Sequence, residues 1–215
     1  MSGHPIRPAH HPTPETLLGY ASGGLDEAFR VVIATHLGGC ARCRADVLRG
    51  ERVGGHMLEA LADTPMDDGA LTRCLARLDD PAPVAMPRAP VPAGMPATLA
   101  GYSIGRWRST IPGLALITVL PPTDGRAGLH LLRLATGVKL AGHGHGGLEL
   151  TVILQGQVGD HDGIYGPGDV AENAEDAHHT PMAVGEGICV CLIAVGGKLR
   201  FDHWLARLVQ PFLGV

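Results

Sequence analysis

The stretch HLGGCARC holds three side chains that bind transition metals, those of His36, Cys40 and Cys43. His36 and Cys40 are four positions apart, which places them on one face of a helix, and Cys43 lies about one turn further along. Zinc prefers this mixture of imidazole and thiolate in a tetrahedral arrangement, and a closed structural site takes a fourth ligand from the protein. The spacing therefore predicts a zinc site with one ligand still to be found.

Three upstream histidines, His4, His10 and His11, are candidates for the fourth ligand. We favour His11 because it directly precedes the first predicted helix, where packing can fix its position. Two interpretations without zinc compete for Cys40 and Cys43, namely a thioredoxin-like redox motif and two unrelated buried cysteines. No βαβ pattern surrounds the pair, which argues against the redox motif.

A second group of metal-binding side chains lies in HGHGGLE, which contains His143, His145 and Glu149. On a strand the two histidines project to the same face, and Glu149 follows a Gly-Gly turn that can bring its carboxylate back towards them. Two imidazoles and one carboxylate suit zinc, iron, manganese, nickel or copper better than calcium or magnesium. The alternative is that these histidines belong to a solvated, glycine-rich loop.

The overall composition is typical of a globular protein and argues against a nucleic-acid or membrane partner. Apolar residues make up 45% of the 215-residue chain, but aromatic residues make up only 4%, so the core must rest on aliphatic side chains. The formal net charge of −4 and the lack of a Lys/Arg run argue against direct nucleic-acid binding. No apolar stretch reaches the length of about 18 residues that a membrane span needs.

The cysteines and the N-terminal sequence indicate the compartment. Five cysteines, an odd number that includes two closely spaced pairs, fit poorly with an extracellular disulfide framework. The first residues, MSGHPIRPAHHPTP, lack the apolar core of a secretory signal. We therefore expect a cytoplasmic protein whose thiols stay reduced or bind metal.

Proline and alanine dominate residues 81–98, which can hold neither a helix nor a regular ladder of hydrogen bonds. We interpret this segment as a linker between two domains. Residues 1–80 show the periodicity of short helices, and residues 99–215 show the alternation typical of strands. The predicted fold class is α + all-β, with a small helical domain followed by a β-sandwich or barrel.

Four helices are expected before the linker. The first begins at Thr13 and Pro14, an N-cap followed by proline at the first helical position, and ends before Gly23. The others span residues 25–37, 40–61 and 69–78. So few helices make a thin core, which usually needs a metal, a disulfide or a partner. The side chains expected to face inward are Val47, Leu48, Met57, Leu58 and Leu61 on the third helix, and Leu71, Cys74, Leu75 and Leu78 on the fourth.

The clearest strands after the linker are residues 113–120, 128–135, 148–156 and 187–195, separated by turns rich in glycine and proline. Cys189 and Cys191 alternate on the last of these strands, so both point to the same face. We interpret them as small buried apolar residues, with a second thiol sensor as the alternative.

The segment from His11 to Cys43 resembles the zinc-binding anti-sigma family, whose signature is an upstream histidine followed by HxxxCxxC. The matching residues here are His11, His36, Cys40 and Cys43. In that family a small helical domain wedges into an extracytoplasmic-function sigma factor and prevents it from engaging RNA polymerase. The resemblance implies a protein partner, for which exposed apolar residues of the helical domain form the interface.

Two glycines, two histidines and a glutamate match the first motif of the cupin family in every spacing: Gly137-x5-His143-x-His145-x3-Glu149-x6-Gly156. The resemblance implies a β-barrel that holds zinc or another divalent transition metal, with a fourth ligand, a histidine, on a later strand. His178 and His179 are the candidates, and we choose His179. The turn YGPGD at residues 165–169 resembles the second cupin motif only loosely, which weakens the case for a standard cupin enzyme site.

The two matches combined identify the chain as similar to anti-sigma factors of the ChrR type, which join a zinc anti-sigma domain to a cupin-like domain. The resemblance implies that the helical domain silences a sigma factor and that the cupin-like domain permits release under singlet oxygen or organic hydroperoxide stress. It implies a regulator and no enzyme. Two alternatives stay open: a cupin metal-dependent dioxygenase or hydrolase with an accessory helical domain, and a zinc-stabilised interaction module with a vestigial barrel.

Overall fold

The structure is a computed structural model that describes residues 8–81, 91–120, 127–140, 142–174, 177–197 and 199–201. We call residues 8–81 the helical region and residues 91–201 the β region. Among the described residues, every α-helix lies in the helical region and every strand in the β region. The predicted order, helices followed by an all-β part, is confirmed.

The helices are α1 Pro14–Ala21, α2 Glu27–Gly39, α3 Ala41–Glu59 and α4 Ala70–Ala76, with short 3-10 turns at Arg77–Asp79 and Ala97–Leu99. The predicted start of α1 is confirmed, because the Thr13 side chain accepts a hydrogen bond from the amide of Thr16 and Pro14 occupies the first turn. Among the described residues, no helix combines the length and the apolar character needed to cross a membrane.

The second half of α3 and all of α4 lack the burial that the sequence pattern predicted. Val47 is buried, whereas the later apolar residues of α3 are exposed. The helix crosses α1 at Gly50, where an added Cβ would lie only 3.0 Å from Cβ of Ala21, the last residue of α1. Beyond this crossing α1 has ended, so it cannot cover the apolar stripe of α3. The prediction of inward-facing side chains was wrong for Leu48, Met57, Leu58, Leu61, Leu71, Cys74, Leu75 and Leu78.

The strands form antiparallel sheets, and the predicted alternation located the four clearest strands, β3, β4, β6 and β12, to within one residue. The largest sheet has the order β1-β3-β4-β12-β6-β9, with β2 also paired to β3, and the smaller ones are β10-β5-β13 and β11-β7-β8. The bounds are β1 Ser103–Ile104, β2 Arg108–Ile111, β3 Leu114–Leu120, β4 Ala127–Ala135, β5 His143–His145, β6 Glu149–Gln155, β7 Gln157–Gly159, β8 Ile164–Tyr165, β9 Val170–Asn173, β10 His178–His179, β11 Met182–Val184, β12 Ile188–Gly196 and β13 Leu199–Phe201.

Helix α2 packs on the largest sheet, so the two regions share one hydrophobic core. Phe29, Val32 and Ile33 of α2 are buried in the same cluster as Leu131 of β4 and Leu192 of β12. Full burial of one such side chain contributes about 1.5–3 kcal/mol. The sheet thereby provides the apolar contact surface that the second half of α3 and α4, which are exposed, do not provide.

Three predicted features lie outside the described residues. They are His4, the central part of the predicted linker at residues 82–90, and the C-terminal residues 202–215.

Candidate metal centres

The structure brings together the four side chains that the anti-sigma signature singles out, His11, His36, Cys40 and Cys43. One ligand atom from each residue lies within 4.8 Å of the other three. Nδ1 of His11 is 3.5 Å from Sγ of Cys40 and 3.4 Å from Sγ of Cys43. Metal–ligand bonds of about 2.0–2.3 Å at a tetrahedral angle give ligand separations of about 3.5 Å, so the cluster has the dimensions of a zinc site.

Each of the four candidate ligands lies at the end of a helix or in the segment that precedes one. His11 lies just before α1, His36 lies in the last turn of α2, and Cys43 lies in the first turn of α3. Cys40 separates α2 from α3, with an extended backbone at φ −113° and ψ 102°. One continuous helix through His36 and Cys40, on which the spacing argument relied, is therefore absent. The break bends the chain, and Sγ of Cys40 accepts a hydrogen bond of 3.5 Å from the amide of Cys43.

The protonation chemistry of the cluster suits a cation. Nδ1 of His36 donates a hydrogen bond of 2.7 Å to the carbonyl of Gly168, and a neutral imidazole then presents a lone pair at Nε2. This buried Nε2 has no hydrogen-bond partner in the described part of the chain, which is the state expected of a metal ligand. Burial and the neighbouring Cys40 raise the pKa of the Cys43 thiol to about 12, and a bound cation reverses such a shift.

Of the upstream histidines in the described chain, His11 and not His10 joins the cluster. Nδ1 of His10 lies 3.3 Å from Oδ2 of Asp169, and its ring lies 4.5 Å from that of Tyr165. His10 therefore faces the β region. The placement favours the choice of His11 as the fourth ligand.

Glu149 and His179 lie side by side inside the β region. Nε2 of His179 is 3.5 Å from Oε1 of Glu149, and the two residues are only 5% and 2% exposed. Burial raises the pKa of Glu149 to about 8, against the opposing effect of a hydrogen bond of 3.2 Å from Nδ2 of Asn173. A buried carboxylate beside an imidazole fits a cation that keeps both groups in their ligand forms. His178 is exposed, which favours His179 as the later histidine.

The backbone of the two motif histidines lies in the strand next to His179. His143 in β5 pairs with His179 in β10, and His145 pairs with Leu199 in β13. The side chains of His143 and His145 lie outside the described residues, so the structure places these two predicted ligands by their backbone alone.

The two glycines of the cupin motif are needed by the backbone. Gly137 and Gly156 have φ values of 78° and 71°, in the left-handed region that other residues rarely adopt. A Cβ added at Gly156 would also lie 2.7 Å from the carbonyl oxygen of Ile188. The glycines of the motif are therefore required by the turns, whereas its histidines and glutamate are the candidate ligands.

Sequence reasoning missed two polar side chains beside the second site. Oδ2 of Asp160 lies 3.6 Å from Nδ1 of His179, and Asn173 donates to Glu149 as described above. Neither residue belongs to the matched spacing, and the GDHDG stretch around Asp160 was recognisable only as a turn. Cys191 lines the same small cavity of about 40 Å³ as Glu149 and His179. The predicted burial of both Cys189 and Cys191 is confirmed.

Comparison with known proteins finds similarity along the whole chain. Residues 102–198 match a family described as the ChrR cupin-like domain. The anti-sigma-E factor ChrR of Cereibacter sphaeroides is 40% identical over 218 residues, which cover 96% of this chain and 98% of that protein. The crystal structure of Rhodobacter sphaeroides SigE in complex with the anti-sigma ChrR matches with a TM-score of 0.72 and 34% identity, covering 88% of this chain and 99% of the matched chain.

Proposed function

Because this chain belongs to the ChrR family of anti-sigma factors, we propose that it binds an extracytoplasmic-function sigma factor and keeps it from engaging RNA polymerase. The observation that carries the proposal is the 40% identity to an anti-sigma factor across 98% of that protein's length, which includes both regions. The related structure is itself a complex of ChrR with SigE. The family that the two motifs predicted is thereby confirmed.

An exposed apolar surface on α3 and α4 supplies the contact area that such a partner requires. Met57 and Leu58 are 69% and 70% exposed, although both are large apolar side chains. So many large apolar side chains exposed on neighbouring stretches of chain are typical of a protein-binding surface. The residues of this α3–α4 apolar surface, which lie on α3, on α4 and in the segments that follow each helix, are Val53, Met57, Leu58, Leu61, Met66, Leu71, Leu75 and Leu78.

A groove beside the helical cluster supports the same function. It has a volume of about 650 Å³ and is lined by His11 and Cys43 together with residues of α1 and α3 such as Leu18 and Arg49. A metal at the cluster would therefore fix the relative positions of the two helices that form the groove walls. Metal-binding free energy is folding free energy in so small a helical region, so the metal stabilises the binding surface.

We assign zinc to the helical site, with His11, His36, Cys40 and Cys43 as ligands, because two thiolates and two imidazoles are the donor set that zinc prefers. We assign zinc or another divalent transition metal to the second site, with His143, His145, Glu149 and His179 as ligands. The buried Glu149–His179 pair supports this second assignment.

The β region, in this proposal, receives the signal, and it releases the sigma factor under singlet oxygen or organic hydroperoxide stress. It does so without catalytic turnover. The cavity beside Glu149 and His179 measures about 40 Å³, whereas pockets for organic substrates typically measure about 300–1,000 Å³. The small cavity favours a regulator over a cupin dioxygenase or hydrolase.

The proposed domain boundaries follow the composition of the chain. Residues 1–80 form the anti-sigma domain, residues 81–98 the linker, and residues 99–215 the cupin-like domain. We place the protein in the cytoplasm, where a sigma factor meets RNA polymerase, and propose that it contacts neither DNA nor a membrane directly.

Pull-down of the tagged full-length chain, with zinc measured on the same sample, tests this function. The wild type is expected to capture an extracytoplasmic-function sigma factor in roughly stoichiometric amount. The Cys40→Ser, Cys43→Ser double variant is expected to lose both the sigma factor and about one zinc per chain, because two of four ligands are removed.

The Cys74→Ser variant is the matched control, since Cys74 is an exposed thiol outside the cluster. It is expected to keep the zinc content of the wild type, which shows that the loss of metal in the double variant is specific to the cluster. Failure of the wild type to capture any sigma factor, together with turnover of an organic substrate, would contradict the proposed function and favour the cupin enzyme.

A further inference from the structure

The imidazole of His36 is oriented by a residue of the β region. Its Nδ1 donates a hydrogen bond of 2.7 Å to the carbonyl of Gly168, which lies 132 residues away in the turn between β8 and β9. A metal-binding histidine that donates its other ring N–H to a carbonyl has its tautomer and its ring orientation fixed. The Gly168 carbonyl therefore points Nε2 of His36 at the cluster.

Asp169, the next residue, holds the backbone just before His11. Its Oδ1 accepts hydrogen bonds of 2.6 Å from the amide of Ala9 and 3.0 Å from the amide of His10. The amide of Val170 donates a bond of 3.2 Å to the carbonyl of His10. Asp169 is only 6% exposed, and hydrogen bonds to a carboxylate in such surroundings are stronger than neutral ones.

Glu172 holds the backbone just after His11. Its Oε2 accepts a hydrogen bond of 2.8 Å from the amide of Thr13. Its Oε1 accepts bonds of 2.8 Å and 2.6 Å from the hydroxyls of Thr13 and Thr16. His11 therefore lies between two backbone positions that are each bonded to a carboxylate of the β region.

We propose that Gly168, Asp169 and Glu172 are positioning residues of the helical metal site, so that the β region completes a site whose four ligands all come from the helical region. The trio acts on His11 and His36, whereas the α2–α3 junction holds Cys40 and Cys43. This inference rests on the metal site of the proposed function and is independent of the sigma factor. It means that a movement of the turn between β8 and β9 loosens two of four ligands together.

Titration of the metal-free, reduced full-length chain with Co²⁺ tests the inference without any partner. Absorption from sulfur-to-cobalt charge transfer reports the thiolate site, and the Cys40→Ser, Cys43→Ser variant provides the blank. Asp169→Ala and Glu172→Ala are each expected to weaken Co²⁺ binding by about tenfold, the lower end of the range for removing a group bonded directly to a ligand, because both carboxylates act through the backbone beside His11. The intensity of the d–d bands is expected to fall as well, because the histidines no longer complete a tetrahedron.

Glu186→Ala is the matched control, since it removes an exposed carboxylate of the β region. It is expected to leave both the affinity and the spectrum unchanged. Asp169→Asn keeps an oxygen that can accept from Ala9 and His10, so it is expected to recover part of the affinity lost in Asp169→Ala.

A double-variant cycle separates positioning from general stability. Thr16→Val removes a hydroxyl that donates to Glu172, and Glu172→Gln removes the charge, so their effects on Co²⁺ affinity are expected to be non-additive. Equal Co²⁺ affinity in the wild type, Asp169→Ala and Glu172→Ala would overturn the inference while leaving the metal site intact. Absence of the charge-transfer band in the wild type would overturn both. If tryptophan fluorescence shows that an alanine variant does not fold, the Co²⁺ affinities of Asp169→Asn and of the double-variant cycle test the inference instead.

Discussion

Three buried histidines show how the surroundings set the chemistry of one side-chain type. His36 has a pKa lowered mainly by burial, and the Gly168 carbonyl fixes its N–H at Nδ1. His179 lies against Glu149. His130 in β4 differs because it belongs to neither candidate metal centre, and burial lowers its pKa to about 4. His130 is therefore a neutral core residue that makes the fold sensitive to acid.

Replacement of His130 by leucine is expected to reduce this acid sensitivity. Unfolded histidine takes up a proton near its ordinary pKa of 6.5, whereas folded His130 resists protonation down to about pH 4. Between these values the unfolded chain binds more protons, so stability falls as the pH falls. From pH 7 to pH 5 the wild type is expected to lose about 2 kcal/mol through this residue, and His130→Leu is expected to keep it.

Urea unfolding followed by tryptophan fluorescence at the two pH values measures this difference. Every other titratable group is common to the two proteins, so its contribution cancels in the comparison. An identical loss of stability in wild type and His130→Leu would show that His130 is not the responsible group.

The first and second halves of helix α3 have different surroundings. Its first turn carries Cys43 of the candidate metal site, and Val47 packs in the core. Beyond the crossing with α1 at Gly50, the apolar residues of α3 face solvent, and Val53 and Met57 share one helix face at a spacing of four residues. An amphipathic helix whose apolar stripe continues past its intramolecular partner is suited to a second, intermolecular partner.

Met57→Asp is expected to weaken sigma-factor binding without weakening the fold. The side chain is 69% exposed, so the free energy of unfolding is expected to change by no more than about 0.5 kcal/mol. A carboxylate inside an apolar interface is expected to lower the affinity by at least about tenfold. Binding of the purified sigma factor, measured by calorimetry, checks this.

Arg52→Asp places the same carboxylate on another face of α3 and serves as the control, with near-wild-type affinity expected. Wild-type affinity in Met57→Asp would remove α3 from the interface.

The whole molecule is organised around α2 and β9, which join the helical and β regions in two ways. Helix α2 contributes Phe29, Val32 and Ile33 to the core of the largest sheet. Strand β9 and the turn before it contact both candidate metal centres, through Gly168 at the helical cluster and through Asn173 at Glu149. The two centres are thus connected by one short segment of backbone.

Phe29→Ala is expected to destabilise the β region, although Phe29 belongs to a helix. Deleting a buried phenylalanine side chain costs about 3–5 kcal/mol, and the cavity here would open onto the sheet, since Phe29 Cζ lies 3.2 Å from a Cβ added at Gly196 of β12. Both tryptophans lie within residues 99–215, so their fluorescence follows the β region during urea unfolding. A lower midpoint is expected for fluorescence and for helical circular dichroism alike.

Loss of helical signal at lower urea with an unchanged fluorescence midpoint would contradict a shared core. Leu18→Ala is the control, because it truncates a large apolar side chain of the helical region that is not part of the shared core. Leu18 is 57% exposed on α1, and its truncation is expected to cost far less.

The local structure and the candidate ligands could be predicted from residues that lie close together in the sequence. Thr13 and Pro14 specify the start of α1, alternation specifies β3, β4, β6 and β12, and the spacings of histidine, cysteine and glutamate predict a thiolate site and a histidine–carboxylate site. Each of these signals depends on neighbours within a few residues, where helix and strand geometry fix what can meet. The family resemblance extended these structural predictions to a prediction of function.

The contacts between elements could not be predicted from the sequence, because they depend on tertiary packing. It joined His36 to Gly168 across 132 residues, exposed Met57 and Cys74 where a helical stripe predicted a core, and broke the helix at Cys40. An apolar stripe shows that a face needs a partner but does not show whether that partner belongs to the same chain. Contacts between distant residues depend on how whole elements pack, and the spacing of residues along the chain does not predict that packing.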